Sequence, residues 1–227
     1  MTILITAVAA ALVGALGPFV LNRLPEPDEP DPDKIAYATL ARTRMLAPGL
    51  AAAAAVMAGL VAWRIENSEL LAVWVVVTGV GAWLSFVDWH TRLLPYRLVV
   101  PTYLLTLFLV ALASLIAGDW SILVKALVGN VVVYVTFRLL YWVAARFFRG
   151  GFGYGDVRWS AVLGLALGAL GASETIVGMY AGFLLGAVCG LVLSRLKVVD
   201  AKGFAFGPYM VVGAVIGVVW GPAIYSI

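Results

Sequence analysis

Two aspartates stand at the edges of long apolar runs. Asp156 closes Gly151-Phe152-Gly153-Tyr154-Gly155-Asp156, three glycines at alternate positions and then a carboxylate, and an apolar segment opens there. Asp88 lies in Phe86-Val87-Asp88-Trp89-His90, where another apolar segment ends. An Asp at the centre of a membrane helix costs roughly 2.5–3.5 kcal/mol, so an acid kept near that region points to a function. Two carboxylates sharing one site resist joint ionisation, and one keeps a proton. Such a pair suits peptide hydrolysis. The ionised member takes a proton from water, and the neutral member donates a hydrogen bond to the scissile carbonyl. Gly153 and Gly155 would let an extended substrate backbone come close, because no side chain stands in the way. A plainer reading stays open for each acid alone: Asp156 as a helix cap, Asp88 as an interfacial residue reaching water.

The composition says what must position them. Of 227 residues, 63% are hydrophobic and 12% charged, about half the charge of a soluble domain, and the mean hydropathy is +1.04. The expected fold is all-α, a polytopic membrane helix bundle; the alternating pattern of a membrane barrel is absent. The net charge of +3 is scattered through short loops, so no nucleic-acid partner is expected, and the bilayer is. Cys189 is the sole cysteine, which excludes an internal disulfide and a cysteine-based zinc site and reads as packing. His90, the sole histidine, lacks the companions of a metal site and reads as a solvated loop residue. No metal or other cofactor is expected. There is no Gly-x-Ser-x-Gly elbow and no nucleotide loop to support serine hydrolysis or ATP use.

About eight spans are expected, near 2–21, 46–63, 70–88, 98–117, 121–145, 157–171, 175–194 and 208–226. Together they make one membrane domain over 1–227. Residues 22–45 form a polar linker within it, where Pro25, Pro27, Pro30 and Pro32 alternate with acids. Gly178, Gly182, Gly186 and Gly190 recur every fourth residue, and Gly213, Gly217 and Gly221 repeat the spacing. Small residues so placed let helices approach closely in lipid, so the last three spans should pack tightly. With the N-terminus outside, twelve of the 15 Lys and Arg fall on the inner side. The positive-inside rule then puts both termini outside and Asp88 and Asp156 at the cytoplasmic boundary. Asp156 begins a span and Asp88 ends one, so the helix dipole favours the anion at Asp156 and leaves the shared proton on Asp88.

The chain resembles the bacterial type IV prepilin peptidases, membrane aspartic proteases named for a Gly-x-Gly-Asp motif. Gly153-Tyr154-Gly155-Asp156, followed by Val157-Arg158, carries that motif. Asp88 through Arg92-Leu93-Leu94-Pro95 is similar to the second family segment, Phe206-Gly207-Pro208-Tyr209 with Gly213 to its closing segment, and Leu21-Asn22-Arg23-Leu24-Pro25 to its first helix exit. The resemblance implies eight helices, Asp88 and Asp156 as the catalytic pair, and Gly153, Gly155 and Pro95 beside the substrate. It implies prepilin or pseudopilin leader peptides as partners, cut at the cytoplasmic face of the bacterial inner membrane just before their hydrophobic stretch. Many family members also methylate the new N-terminus with S-adenosylmethionine, an activity associated with a cytoplasmic domain carrying paired Cys-x-x-Cys motifs. This chain has only its short Pro/acid linker there, so a peptidase alone is expected. Tyr96 stands where many members have Asp or Asn. The competing class is a small proton- or cation-coupled transporter with intramembrane carboxylates.

Overall fold

A computed structural model describes residues 1–26, 35–65, 68–147, 153–196 and 205–225. Gly151, Phe152, Arg149, Lys197, Asp200, Lys202 and linker residues 27–34 fall outside the described residues.

The described chain is helical, with no strand. The elements are α1 (Thr2–Ala15), α2 (Gly17–Leu21), α3 (Tyr37–Leu40), α4 (Leu46–Arg64), α5 (Leu71–Thr91), α6 (Tyr96–Ala117), α7 (Trp120–Phe147), α8 (Tyr154–Leu170), α9 (Ala172–Arg195) and α10 (Gly207–Tyr225). Each expected span has its helix, with α1 and α2 sharing the first. Among the described residues six stretches are long and apolar enough to cross a membrane: Thr2–Leu21, Leu46–Arg64, Ser68–Thr91, Tyr96–Ala117, Trp120–Phe147 and Ala172–Leu193. The chain is a multi-pass membrane protein. The other two expected spans are shorter: α8 has 17 residues, and the apolar helix of α10 covers Gly207–Ala223. At 1.5 Å per residue α8 reaches about 26 Å, slightly less than a hydrocarbon core.

Local chemistry sets the ends. Pro95, extended at φ −61° and ψ 122°, precedes the first turn of α6, where its missing N–H costs nothing. Gly118 takes φ 66° after α6, a left-handed stop open to glycine. Asp119 then starts α7, its carboxylate accepting from Ser121 N–H at 2.8 Å and Ser121 O–H at 2.9 Å. Within the polar linker Tyr37–Leu40 form one helical turn, with Tyr37 and Leu40 buried. These two apolar residues, three apart, fall on one face of the turn. Tyr37 N–H also donates to Glu26 Oε1 at 2.7 Å, tying the two flanks of the linker together.

Helix α5 is the axis of the bundle. Its most apolar window is 72% buried, against 17–33% for the other five long spans. It packs on α1, α4, α6, α8 and α10, and Trp83 Nε1–H donates to Gly14 O at 3.0 Å on α1. The glycine seams sort differently from the expectation. Helices α9 and α10 do close tightly: a Cβ on Gly217 would lie 2.7 Å from Gly178 Cα. Gly164 and Gly168 of α8, however, turn toward α7. A Cβ on Gly129 would lie 2.6 Å from Gly164 O and 2.7 Å from Gly168 Cα. Each seam needs a partner with a small residue at the same height, and Gly129 supplies it for α8.

Candidate functional site

Asp88 stands in the last turn of α5 and is 4% exposed. The helix runs on to Thr91 and stops at Arg92, whose φ of 55° is left-handed and whose N–H donates to Asp88 O at 2.7 Å. Asp88 is therefore inside the helix rather than at its end. Its carboxylate Oδ2 accepts from Gly207 N–H at 2.7 Å, across 119 residues of sequence. Gly207 is the first residue of α10, so a helix N-terminus points at Asp88. The approach leaves little room for a larger residue: a Cβ there would lie 2.9 Å from Asp88 Oδ2, which would have to shift.

Asp156 sits in the first turn of α8 and is 8% exposed. Its Oδ2 accepts from the N–H of Gly153, the N-cap residue, at 3.3 Å. It closes its own helix start from the third helical position, which satisfies one donor that the helix leaves unpaired. The helix begins at Tyr154, three residues earlier than expected, because the carboxylate can cap backwards. Asp88 and Asp156 lie within electrostatic range of each other, at one end of the bundle.

The loop between α5 and α6 completes this end. Leu94 is buried and seats against Gly155, where a Cβ would lie 2.8 Å from Leu94 Cβ and 3.3 Å from Leu94 N. Gly155 thus serves a close contact between loop and helix. Gly153 is exposed and Pro95 half-buried. Phe206, just before Gly207, packs against Phe183 and Phe137 with ring centroids 5.4 and 6.2 Å apart. Those rings, from α7 and α9, anchor the chain that presents Gly207 N–H. His90 is helical rather than in a loop, exposed, with Nδ1 2.8 Å from Phe86 O and its ring 4.4 Å from that of Phe86. No cluster of three His, Cys, Asp or Glu able to hold a metal occurs among the described residues.

Both carboxylates face a helix N-terminus, Asp156 that of α8 and Asp88 that of α10, so the helix dipole does not single out Asp88 to keep the proton. Gly207 carries no mark of the site in its own sequence context. A Gly-Pro pair opening an apolar run marked the helix start, and nothing local marked its target.

Chemically, two buried acids with backbone N–H partners, and no ion pair holding either among the described residues, can activate water and polarise a carbonyl. Both acids occupy one end of the bundle, which gives the transporter reading no path across it.

Residues 74–195 match the model of the type IV leader peptidase family. A Pseudomonas putida protein named prepilin leader peptidase/N-methyltransferase is 32% identical over 176 residues, which cover 76% of this chain and 58% of the relative. Proteins of the same name from Pseudomonas aeruginosa and Pectobacterium carotovorum are 30% identical over 180 residues (76% of this chain, 57% of the relative) and 33% identical over 139 (60% and 47%). The chain thus spans about half the length of the curated relatives it matches. No solved structure matches significantly.

Proposed function

The chain belongs to the type IV leader peptidase family, and we propose that it is a membrane aspartic endopeptidase that removes the leader peptide from prepilin-like substrates. What supports the reading is that Asp88 and Asp156 are both buried and within electrostatic range of each other, Asp156 bonded to Gly153 N–H and Asp88 to Gly207 N–H.

The pair shares one proton. The ionised carboxylate takes a proton from a water as its oxygen attacks the scissile carbonyl carbon. The other carboxyl donates a hydrogen bond to the carbonyl oxygen as charge develops there. The C–N bond breaks, and the leaving nitrogen takes up the proton held by the base. Water ends as the hydroxyl of the new carboxyl group plus the proton on the amine, so the pair returns to its starting charge. Exposed Gly153 gives its N–H to Asp156, half-buried Pro95 follows the Leu94 that seats on Gly155, and the extended leader runs past these residues. Gly155 lets α8 lie close against the Leu94 loop.

The cut is made at the cytoplasmic face of the bacterial inner membrane. The excess of Lys and Arg on the side of the two acids supports this orientation. The reading is confined to the peptidase step, since the linker after α2 is short and Cys189 is the sole cysteine of the chain. The test is a cleavage assay with a prepilin substrate in membranes carrying Asp88→Asn or Asp156→Asn. Each variant should stay folded in the membrane and leave the leader attached. Cleavage by either one at the parental rate would remove the pair from the reaction.

A further inference from the structure

On the opposite side of α8 from Asp156 lies a separate cavity. Two residues along a helix turn the side chain by about 200°, so Arg158 points away from the acids, toward α6 and α7. The cavity between these helices measures about 280 Å³. Val99, Val100 and Ala161 form its apolar walls, and Tyr103, Asn130, Tyr134 and Arg158 supply its polar atoms. The floor is already hydrogen-bonded: Asn130 Nδ2–H donates to Ala161 O at 2.7 Å, and Tyr103 O–H reaches Asn130 Oδ1 at 3.5 Å. Among the described residues no carboxylate neutralises the charge on the cavity wall. Arg158 is held by two rings, its Cζ 4.6 Å from the centroid of Tyr154 and 5.0 Å from that of Tyr96. Arg138 lies beside the same aromatic group, 5.6 Å from Tyr154 and 5.5 Å from Tyr141. Among the described residues neither arginine has a carboxylate partner.

We propose that this cavity is a binding site for the phosphate headgroup of an anionic phospholipid, taken laterally from the bilayer. Arg158 on the wall of a largely apolar cleft and Arg138 nearby, neither with a carboxylate partner among the described residues, complement one phosphodiester and the start of its acyl chains. Basic pockets between membrane helices take acidic headgroups in this way, and guanidinium–phosphate hydrogen bonds are strong and directional. Arg158 lies four residues into α8, about 6 Å from its start, at the depth of a headgroup rather than of the bilayer centre. The tyrosines suit the same level, being apolar along the ring and polar at the tip. The volume corresponds to roughly nine waters, room for a phosphate with its glycerol. The site is independent of the cleavage reaction.

The test is lipid binding by the full purified chain in neutral detergent, read by native mass spectrometry and by thermal shift. Phosphatidylglycerol and phosphatidylcholine with identical acyl chains are the probes. The parent should retain phosphatidylglycerol in preference to phosphatidylcholine. Arg158→Gln should weaken that preference about five- to tenfold, roughly one charge near a membrane surface, and Arg158→Lys should restore part of it. Val100→Trp, which fills the cavity and leaves the charge, should lower phosphatidylglycerol binding even if Arg158→Gln folds poorly. Equal retention of both lipids by the parent, or an unchanged preference in both Arg158→Gln and Val100→Trp, would overturn the proposal. Displacement of phosphatidylglycerol by millimolar glycerol phosphate would assign the site to a soluble anion. If Val100→Trp stops prepilin cleavage while lipid preference stays intact, the cavity belongs to the peptide.

Discussion

Asp156 and Asp88 are supported in opposite ways. Asp156 accepts from Gly153, three residues before it, so its position comes with the first turn of its own helix. Asp88 accepts from Gly207, 119 residues after it, so its position depends on α10 docking against α5. One acid is set by local structure and the other by the assembled bundle. A mutation in the bundle should therefore disturb Asp88 first, even though both acids serve one step in the proposed reaction.

The largest effect comes from removing either acid. Asp88→Asn and Asp156→Asn should each lower the cleavage rate by on the order of 10²–10⁴, the scale of one acid–base group, measured on a prepilin substrate. Unequal losses would mean that the two acids do not act as a unit. Next is Gly207→Ala. Its Cβ would lie 2.9 Å from Asp88 Oδ2, so the carboxylate must move. Displacement of about 1 Å can cost roughly 100-fold. The leader should stay largely uncut while the chain's thermal midpoint moves little, and normal cleavage would show that the Gly207 contact does not position Asp88.

Gly155→Ala comes third. It would place Cβ 2.8 Å from Leu94 Cβ, an overpacking worth about 1–3 kcal/mol. Leu94→Gly in the same chain removes the opposing Cβ, so the double variant should cleave better than Gly155→Ala alone. No recovery would mean that Gly155 acts on the substrate and not on the loop.

The smallest effect lies away from the site. Tyr37 is held up to about 12 by burial first and by Glu26 second. The unfolded phenol ionises near 10. Its contribution to stability is therefore complete below about pH 10 and is lost as the pH rises toward 12. Tyr37→Phe should flatten the alkaline fall in thermal midpoint between pH 10 and 12. An equally steep fall in the variant would place the alkaline sensitivity elsewhere.

Much of this was legible from residue order alone. Hydropathy is a local property, and runs of about 20 apolar residues announce a helix whatever they pack against. The eight expected segments accordingly met eight helical stretches, with ends shifted by a few residues at capping positions such as Gly153 and Arg92. Asp88 and Asp156 also stood out locally, as acids where acids are costly. The glycine spacing of α9 and α10 announced a close seam, but not that Gly164 and Gly168 of α8 would choose Gly129 on α7. Spacing describes one helix face and does not name the opposing one.

What the sequence determined on its own was the helical membrane class, the approximate spans and the two acids as the residues to watch. Only tertiary structure decided that α10 starts beneath Asp88, that Leu94 fills the space left by Gly155, and that Arg158 turns its charge into a cleft between α6 and α7. The physical reason is range. A helix closes its own hydrogen bonds within four residues, while contacts between Gly207 and Asp88 exist only once five neighbouring helices have packed around α5.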